Sequence, residues 1–92
     1  MRLMLRFSIP VQKGNEAASD GSMALALREL VENVKPKAAY FHLDDGCRAG
    51  TIIFDASDPS QMATINEPLF AKLNAKIDIQ PVVSLDELLE KI

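Results

Sequence analysis

The 92-residue chain, with 48% hydrophobic and 25% charged side chains, is long enough for one globular domain and too short for a second core. Its formal charge of −3 and its scattered Lys and Arg residues exclude a basic nucleic-acid surface, and no run approaches the roughly 20 apolar residues that cross a bilayer. The single cysteine excludes an internal disulfide and is typical of a reducing compartment, so we expect one domain over residues 1–92, located in the cytoplasm.

The first predicted element is a strand. LMLRFSI, residues 3–9, alternates between an apolar set and a mixed set, and Pro10 ends it. The apolar set is Leu3, Leu5, Phe7 and Ile9, and the mixed set is Met4, Arg6 and Ser8. The following QKGNEAASDGS, residues 12–22, is rich in turn-forming residues and predicts a loop.

A helix is predicted from about Ser19 or Ser22 to Val34, where apolar residues recur at helical spacing, and Lys35-Pro36 ends it. Residues 38–43 and 49–55 then read as two strands, the second rich in β-branched side chains. The DDGC sequence between them predicts a hairpin turn, with Gly46 supplying a positive φ.

The second half of the chain predicts a helix, a strand and a final short helix. Asp58 in DPSQ is the expected cap of the first of these helices, and Pro68 is expected to kink or split it. Residues 77–80 alternate as a strand that Pro81 suits to a sheet edge. Ser84 and Glu87 form a capping-box pattern before a helix whose apolar stripe is Leu85, Leu88, Leu89 and Ile92.

This order, β-α-β-β-α-β plus a terminal helix, predicts an α+β fold of the ferredoxin-like type. Its strand order is 4-1-3-2 in a four-stranded antiparallel sheet, with both helices on one face. Phe7, Phe41 and Phe54 share the apolar parity of their strands and are expected to form the floor beneath the helices.

The other face of the sheet is left uncovered by these helices. Its expected residues are neither uniformly apolar nor uniformly charged, and a half-apolar open face in a small chain indicates a partner. The residues expected on this open face are Met4, Arg6, Ser8, Tyr40, His42, Thr51, Ile53, Asp55, Asp78 and Gln80.

Four stretches carry a resemblance: IPVQKGNEAASDGS, KPKAAYF, GCRAGTIIFDASDPSQ and NEPLFAKLNAKIDIQPV. Together they cover most of the chain and resemble a family of small uncharacterised bacterial proteins within the dimeric α/β-barrel superfamily. In that superfamily two ferredoxin-like chains pack open face to open face, so the resemblance implies a homodimer. Its wider members include cofactor-independent monooxygenases, muconolactone-isomerase-like enzymes, haem-degrading enzymes and stress-responsive proteins, whose ligands lie between the open face and the helices or loops. This diversity implies a fold and a dimer, not a reaction.

His42 is the leading candidate catalytic residue, because it shares the open face with Tyr40 and Arg6. A neutral imidazole can remove a proton from an acidic C–H or a phenol, and Arg6 can hold the resulting anion. The alternative is a surface or dimer-interface histidine that is hydrogen-bonded across the sheet. Asp78 either orients Arg6 toward a substrate carboxylate or forms a cross-strand ion pair with it within the dimer interface. The expected ligand-binding residues are Tyr40, Asp78, Ser8 and Gln80.

Other candidates have simpler interpretations. Cys47 beside Arg48 is either an activated thiol or an incidental turn residue, and Asp44 and Asp45 read as turn residues and not as a metal pair. Glu67-Pro68 either opens a pocket or only kinks a helix.

The loop residues Asn15 and Glu16 either line the cleft or cap a helix. The lone histidine offers no zinc set, and His42 is the single imidazole available to haem, so we expect no metal and no cofactor. RNA recognition on this layout needs stacking aromatics on the central strands, where this chain has Arg6, Ser8, Thr51 and Ile53.

The sequence thus predicts a homodimer that binds a small molecule. One form of this hypothesis is a cofactor-independent enzyme acting on a small aromatic or carboxylated metabolite. The alternative is a non-catalytic interaction or structural dimer whose open face is consumed by dimerisation. Whether the protein is an enzyme stays open at this point.

Overall fold

A computed structural model describes all 92 residues and contains four strands and four helices. The strands are β1 (Arg2–Ile9), β2 (Ala38–Asp44), β3 (Cys47–Asp55) and β4 (Lys76–Pro81). The helices are α1 (Val11–Asp20), α2 (Ser22–Val34), α3 (Gln61–Leu73) and α4 (Leu85–Lys91). None of these helices is both long enough and apolar enough to pass through a membrane.

The strands form one antiparallel sheet in the order β2-β3-β1-β4. This confirms the predicted ferredoxin-like order, in which the two strands of the hairpin lie together and the last strand pairs with the first. β2 and β4 are the two edges. Pro81 lies on the β4 edge opposite Leu3, where a missing N–H costs no internal hydrogen bond.

The core lies on one face of the sheet, beneath α1, α2 and α3. The alternation in β1 is obeyed along its whole length, since its four odd-numbered apolar side chains are all buried. They pack with Ile52 and Phe54 of β3 and with the apolar stripes of the helices. The buried residues of those stripes are Ala17, Met23, Ala26, Leu30, Val34, Ile65, Leu69 and Leu73.

Residues 12–22 do not form the predicted loop, because most of them belong to α1. Turn-forming residues are poor helix formers. The small residues Gly14 and Ala17, however, let this helix lie close to the sheet. Ala17 is only 1% exposed, and a side chain added at Gly14 would come within 2.9 Å of the Arg48 guanidinium. Tertiary packing overrides local propensity here, and Gly21 at φ 84° separates α1 from α2.

Phe41 does not join the predicted floor of the core and is 56% exposed. Its side chain has the predicted parity, opposite Gly50 in the sheet. β2 is an edge strand, however, and no helix covers it, so every residue of β2 is exposed or half-buried. Parity assigns a face of a sheet, whereas burial also needs a neighbouring layer.

The hairpin turn forms as predicted, with Asp45 at φ 51° and Gly46 at φ 77°. α3 runs through Pro68 as one helix and is not split. Its first residue is Gln61, later than the sequence suggested, because Asp58 accepts a hydrogen bond from the Ser60 N–H within a turn that precedes the helix.

The last helix, α4, has the predicted capping box, with Ser84 and Glu87 bonding each other's backbone N–H groups. None of its residues is buried, and it packs extensively against no other element. Its apolar stripe is therefore exposed in the isolated chain.

Candidate functional site

The open face of the sheet is built from rows of side chains that the strand register aligns. One row joins Tyr40 of β2, Thr51 of β3, Arg6 of β1 and Asp78 of β4. Because successive side chains on a strand point to opposite faces, the next row on this face lies two residues further along each strand. That row joins His42, Ala49, Ser8 and Lys76.

A shallow pocket of about 160 Å³ lies across these two rows. It brings together four of the six predicted site residues, which come from three strands: Arg6, Ser8, His42 and Asp78. Asp44, Lys76 and Phe7 complete its lining. Ala49 lies between His42 and Ser8 in the second row, where its methyl group occupies little space.

The other two predicted residues do not line the pocket. Tyr40 shares a row with Arg6, yet it stands on the edge strand and is 70% exposed. Gln80 lies opposite Met4, one row away from Asp78 on the side remote from His42. Neither residue forms part of the pocket wall within a single chain.

His42 is held by hydrogen bonds at both ring nitrogens. Nδ1 lies 3.0 Å from the Leu43 carbonyl oxygen, and Nε2 lies 2.7 Å from the Thr51 hydroxyl. A carbonyl oxygen can only accept, so Nδ1 carries a proton and donates it. In the neutral ring the Thr51 hydroxyl then donates to Nε2. The ring is oriented, and its basic nitrogen is engaged by a hydroxyl that can rotate away.

The His42–Thr51 contact has the geometry of a base beside a hydroxyl, with a third group orienting the base. Two roles are chemically available to it. Nε2 can take a proton from a bound ligand after the hydroxyl rotates, or the pair can serve as a cross-strand hydrogen bond that stiffens the edge hairpin. The first role needs a ligand held at the pocket by another group.

Arg6 and Asp78 are direct cross-strand neighbours but do not form an ion pair within 4.0 Å. The ion pairs of this chain join Arg2 to Asp55, Lys37 to Asp55, and Lys72 to Glu29. The single chain therefore does not contain the Arg6–Asp78 ion pair, which was the alternative for the dimer interface. The pocket is lined by two cations and two anions, with the Arg6 guanidinium free to bind an anion.

A salt bridge borders the open face one row beyond Met4. Arg2 Nε lies 3.0 Å from Asp55 Oδ1, and Lys37 Nζ lies 3.9 Å from Asp55 Oδ2. The hydrogen bond from Arg2 lowers the pKa of the Asp55 carboxyl below its ordinary value. This carboxylate is already paired with two cations, and it does not line the pocket.

Asp44 and Lys76 are pocket residues that sequence reasoning missed. Asp44 was assigned to the turn, although its parity in β2 matches that of His42 and Tyr40. Lys76 precedes the predicted fourth strand, which begins one residue earlier than its alternation suggested. Strand parity could have found both residues, but their distance from Arg6 depends on the register between strands.

None of the remaining candidates lines the pocket. Cys47 lies on the open face opposite Asp44, whereas Arg48 lies on the other face of β3 and its Nη1 donates to Asn15 Oδ1 at 2.8 Å. Asn15 therefore ties α1 to β3 and does not line a cleft. No group of three or more His, Cys, Asp or Glu side chains lies close enough together to hold a metal ion.

The Glu67-Pro68 segment does not open a ligand pocket. The cavity beside Pro68, between α2 and α3, is about 10 Å³, which is the space of a single water molecule. Neither Asn66 nor Glu67 lines it. Asn66 Oδ1 is buried without a hydrogen-bond partner, away from this cavity's lining.

Three comparisons with known proteins bear on this chain. Residues 1–92 match a family model described as a domain of unknown function, DUF3303. No curated protein matches the chain significantly. Among solved structures, the de novo designed protein Ferredog-Diesel is similar at a TM-score of 0.52 and 10% identity, over 88% of this chain and 85% of that one. The periplasmic divalent cation tolerance protein CutA from Archaeoglobus fulgidus is similar at a TM-score of 0.51 and 14% identity, over 98% and 93%. At these identities the two structures support the ferredoxin-like fold and nothing further.

Proposed function

The chain belongs to the DUF3303 family of unknown function, and from its geometry we propose that it binds a small carboxylated molecule on the open face of its sheet, as a homodimer. The pocket that contains Arg6 and His42 is the observation that carries this proposal. A guanidinium without an internal partner, beside an oriented imidazole, is suited to an anion whose neighbouring atoms carry a labile proton.

The size of the pocket supports a dimer. Ligand sites usually enclose roughly 300–1,000 Å³ and cover most of the ligand's surface, whereas this depression is about 160 Å³ and open on one side. A second sheet packed over it would supply the missing wall and exclude water. The half-buried Met4 and Ile53, which are cross-strand neighbours on the same face, would lie in that contact.

In this arrangement each residue has a separate role in binding or proton transfer. Arg6 binds the carboxylate, and Lys76 on the neighbouring strand adds a second positive charge. His42, with its proton on Nδ1 held by the Leu43 carbonyl, accepts a proton at Nε2 after the Thr51 hydroxyl turns away. Tyr40 reaches the ligand from the edge strand across the dimer. The reaction class is proton transfer on a small aromatic or carboxylated metabolite.

A second candidate function is a purely structural dimer. It is favoured by Tyr40, which is 70% exposed beside the half-buried Thr51. If the partner's side chains fill the pocket, Asp78 of each chain would neutralise Arg6 of the other and no ligand space would remain.

Nuclear magnetic resonance with benzoate and succinate as probes tests the proposal. We expect one or both carboxylates to shift the amide and side-chain signals of Arg6, His42 and Thr51. Arg6→Gln should weaken this binding about tenfold or more, since a charged hydrogen bond contributes about 1.5–3 kcal/mol. Arg28→Gln, which removes an exposed cation on α2, is the matched control and should bind normally.

Sedimentation of the same variants distinguishes the two functions. A dimer that binds neither probe, and that Arg6→Gln dissociates, would support the structural role and contradict the ligand site. A monomer at all accessible concentrations would overturn the proposed dimer itself.

A further inference from the structure

The C-terminal helix α4 carries an apolar stripe that its own chain does not cover. Leu85 and Leu89 are more than half exposed, and Ile92 is 86% exposed. A seven-residue helix is too short to be stable in water without packing, even with a capping box. α4 therefore needs to pack against an apolar surface other than those that it contacts here.

A matching apolar surface lies at the far edge of the sheet, between α2 and β2. We call it the β2–α2 groove. It encloses about 190 Å³ and is lined entirely by apolar and aromatic residues: Phe7, Leu27, Leu30, Val31, Ala39, Tyr40, Phe41 and Ile52. Phe41 is 56% exposed there and Val31 is 45% exposed. The groove is open because no helix covers the edge strand.

The α4 helix of the same chain cannot reach this groove. β4 and β2 are opposite edges of the sheet, separated by three strand spacings, or about 14 Å. The Val82 N–H is bonded to the Arg2 carbonyl, so the free linker before α4 is only Val83 and Ser84. Two extended residues span at most about 7 Å. Any α4 that enters the groove must therefore come from another molecule.

The surface of the chain is larger than its mass predicts. A monomer of this mass has an accessible area of about 5,300 Å², and this chain has 6095 Å². The excess of about 800 Å² equals what one partner contributes to a standard interface. Its radius of gyration, 14.1 Å, also exceeds the expected value of about 12 Å. Both excesses fit a chain in which one helix, α4, is not packed against the body and is available to a partner.

Charges at one end of the β2–α2 groove complement those in the first turn of α4. Asp86 and Glu87 lie in that turn. Lys35 lies at the end of α2, just before β2 begins. A helix laid along β2 with its N-terminus at this end would bring opposite charges together.

From these observations we propose that α4 of one molecule docks in the β2–α2 groove of a second copy, reciprocally about a twofold axis. Each copy then contributes one apolar helix and one apolar groove. The contact lies on the helix side of the sheet and at the outer edge of β2. It does not rest on the proposed ligand site, because among the open-face residues only Tyr40, on the edge strand, also lines the groove.

A second apolar groove is the competing position for α4. It encloses about 350 Å³ between the start of α3 and β4, with Met62, Leu3 and Pro81 in its lining, and the linker could reach it within one chain. No residue of α4 lines it, however, and its rim carries Asp58, which repels the acidic first turn of α4. The β2–α2 groove lacks this repulsion.

Disulfide trapping distinguishes these positions. In a Cys47→Ser background, a Phe41→Cys chain mixed with a Leu88→Cys chain should form a disulfide-linked heterodimer on mild oxidation. Ala18→Cys, an exposed position on α1, replaces Phe41→Cys as the matched control and should not crosslink. A chain carrying both Met62→Cys and Leu88→Cys should stay uncrosslinked internally. Intrachain crosslinking of that pair, without the heterodimer, would overturn the proposal.

Sedimentation equilibrium with charge reversal tests the orientation. Lys35→Glu and Asp86→Lys should each raise the dimer dissociation constant about tenfold, because each opposes like charges in both symmetric contacts. The double variant should recover most of the affinity. If the effects of the double variant are additive, or if Leu89→Glu leaves the self-association constants unchanged while the protein stays folded, α4 does not form the interface.

Discussion

Gly50 shows how one residue shapes this fold. It faces the core opposite Phe7, and a side chain at this position would lie 2.5 Å from two atoms of the Phe7 ring. Only glycine leaves room for the ring to extend across β3 toward Phe41. The floor of the β2–α2 groove, which Phe7 helps to line, therefore depends on this absence of a side chain.

We expect Gly50→Ala to lower the free energy of unfolding by about 1–3 kcal/mol, because the added methyl overpacks the ring. Chemical denaturation provides the measurement. Phe7→Leu removes the ring atoms that clash, so Gly50→Ala should cost less in that background than in the wild type. Equal costs in both backgrounds would mean that the clash is not the cause.

The His42 ring gives a second prediction at the residue scale. Its contacts require the neutral ring to carry the proton on Nδ1, donated to the Leu43 carbonyl. Nitrogen-15 spectra of the imidazole at alkaline pH should show this tautomer. Thr51→Val removes the hydroxyl partner of Nε2 and should leave the Nδ1 proton in place. A ring protonated on Nε2 would contradict the geometry on which the proposed proton transfer depends.

At the scale of elements, long-range side-chain contacts tie the ends of strands and helices together. Arg48 joins β3 to α1 through Asn15, and Arg2 joins β1 to β3 through Asp55. These contacts are exposed or half-exposed, so each contributes modestly to stability. Their effect is best seen through the pH dependence that they create.

The Asp55 carboxyl should make stability depend on acidic pH. Its pKa is lowered in the folded state by the Arg2 hydrogen bond, so the unfolded chain binds the proton more tightly. The stabilisation is present above the unfolded value, about 3.9, and is lost as the pH falls through the lowered folded value. The wild-type thermal midpoint should therefore fall more between pH 5 and pH 3 than that of Asp55→Asn.

Arg2→Gln supplies the control for this pH dependence, since removing the donor should flatten the curve in the same way. A slope remains in both variants, because the Ser22 hydrogen bond also lowers the pKa of the Asp20 carboxyl. Curves that match the wild type would show that the Arg2–Asp55 pair does not act in solution.

At the scale of the whole molecule, three helices cover one face of a four-stranded sheet, and the fourth helix, α4, projects from this body. Its principal extents are 47 × 27 × 17 Å, an elongated outline for 92 residues. Both unpartnered surfaces, the open face and the β2–α2 groove, reflect a chain that is too small to cover a sheet on two sides and at both edges.

Removing α4 tests how far the body folds alone. A chain ending at Val83 should keep its sheet and its first three helices, because α4 packs extensively against none of them. In sedimentation it should lose the self-association that α4 provides, whereas the proposed open-face contact does not involve α4 and should remain. Hydrogen exchange in the full chain should protect α4 amides only at concentrations where the dimer forms. Unfolding of the shortened chain would show that α4 supports its own body.

Sequence alone determined the features that depend on near neighbours along the chain. The alternation of β1, the positive φ at Gly46 and the capping box at Ser84 are all present in the structure, because each is specified within a few residues. The strand order also followed from the succession of elements. Only the tertiary structure could decide what depends on distant neighbours. It made residues 12–20 helical by packing Ala17 and Gly14 against the body, and it left Phe41 exposed for want of a covering helix. It also added Asp44 and Lys76 to the pocket and left Tyr40 outside, because the register between strands, which no single segment encodes, sets which side chains meet.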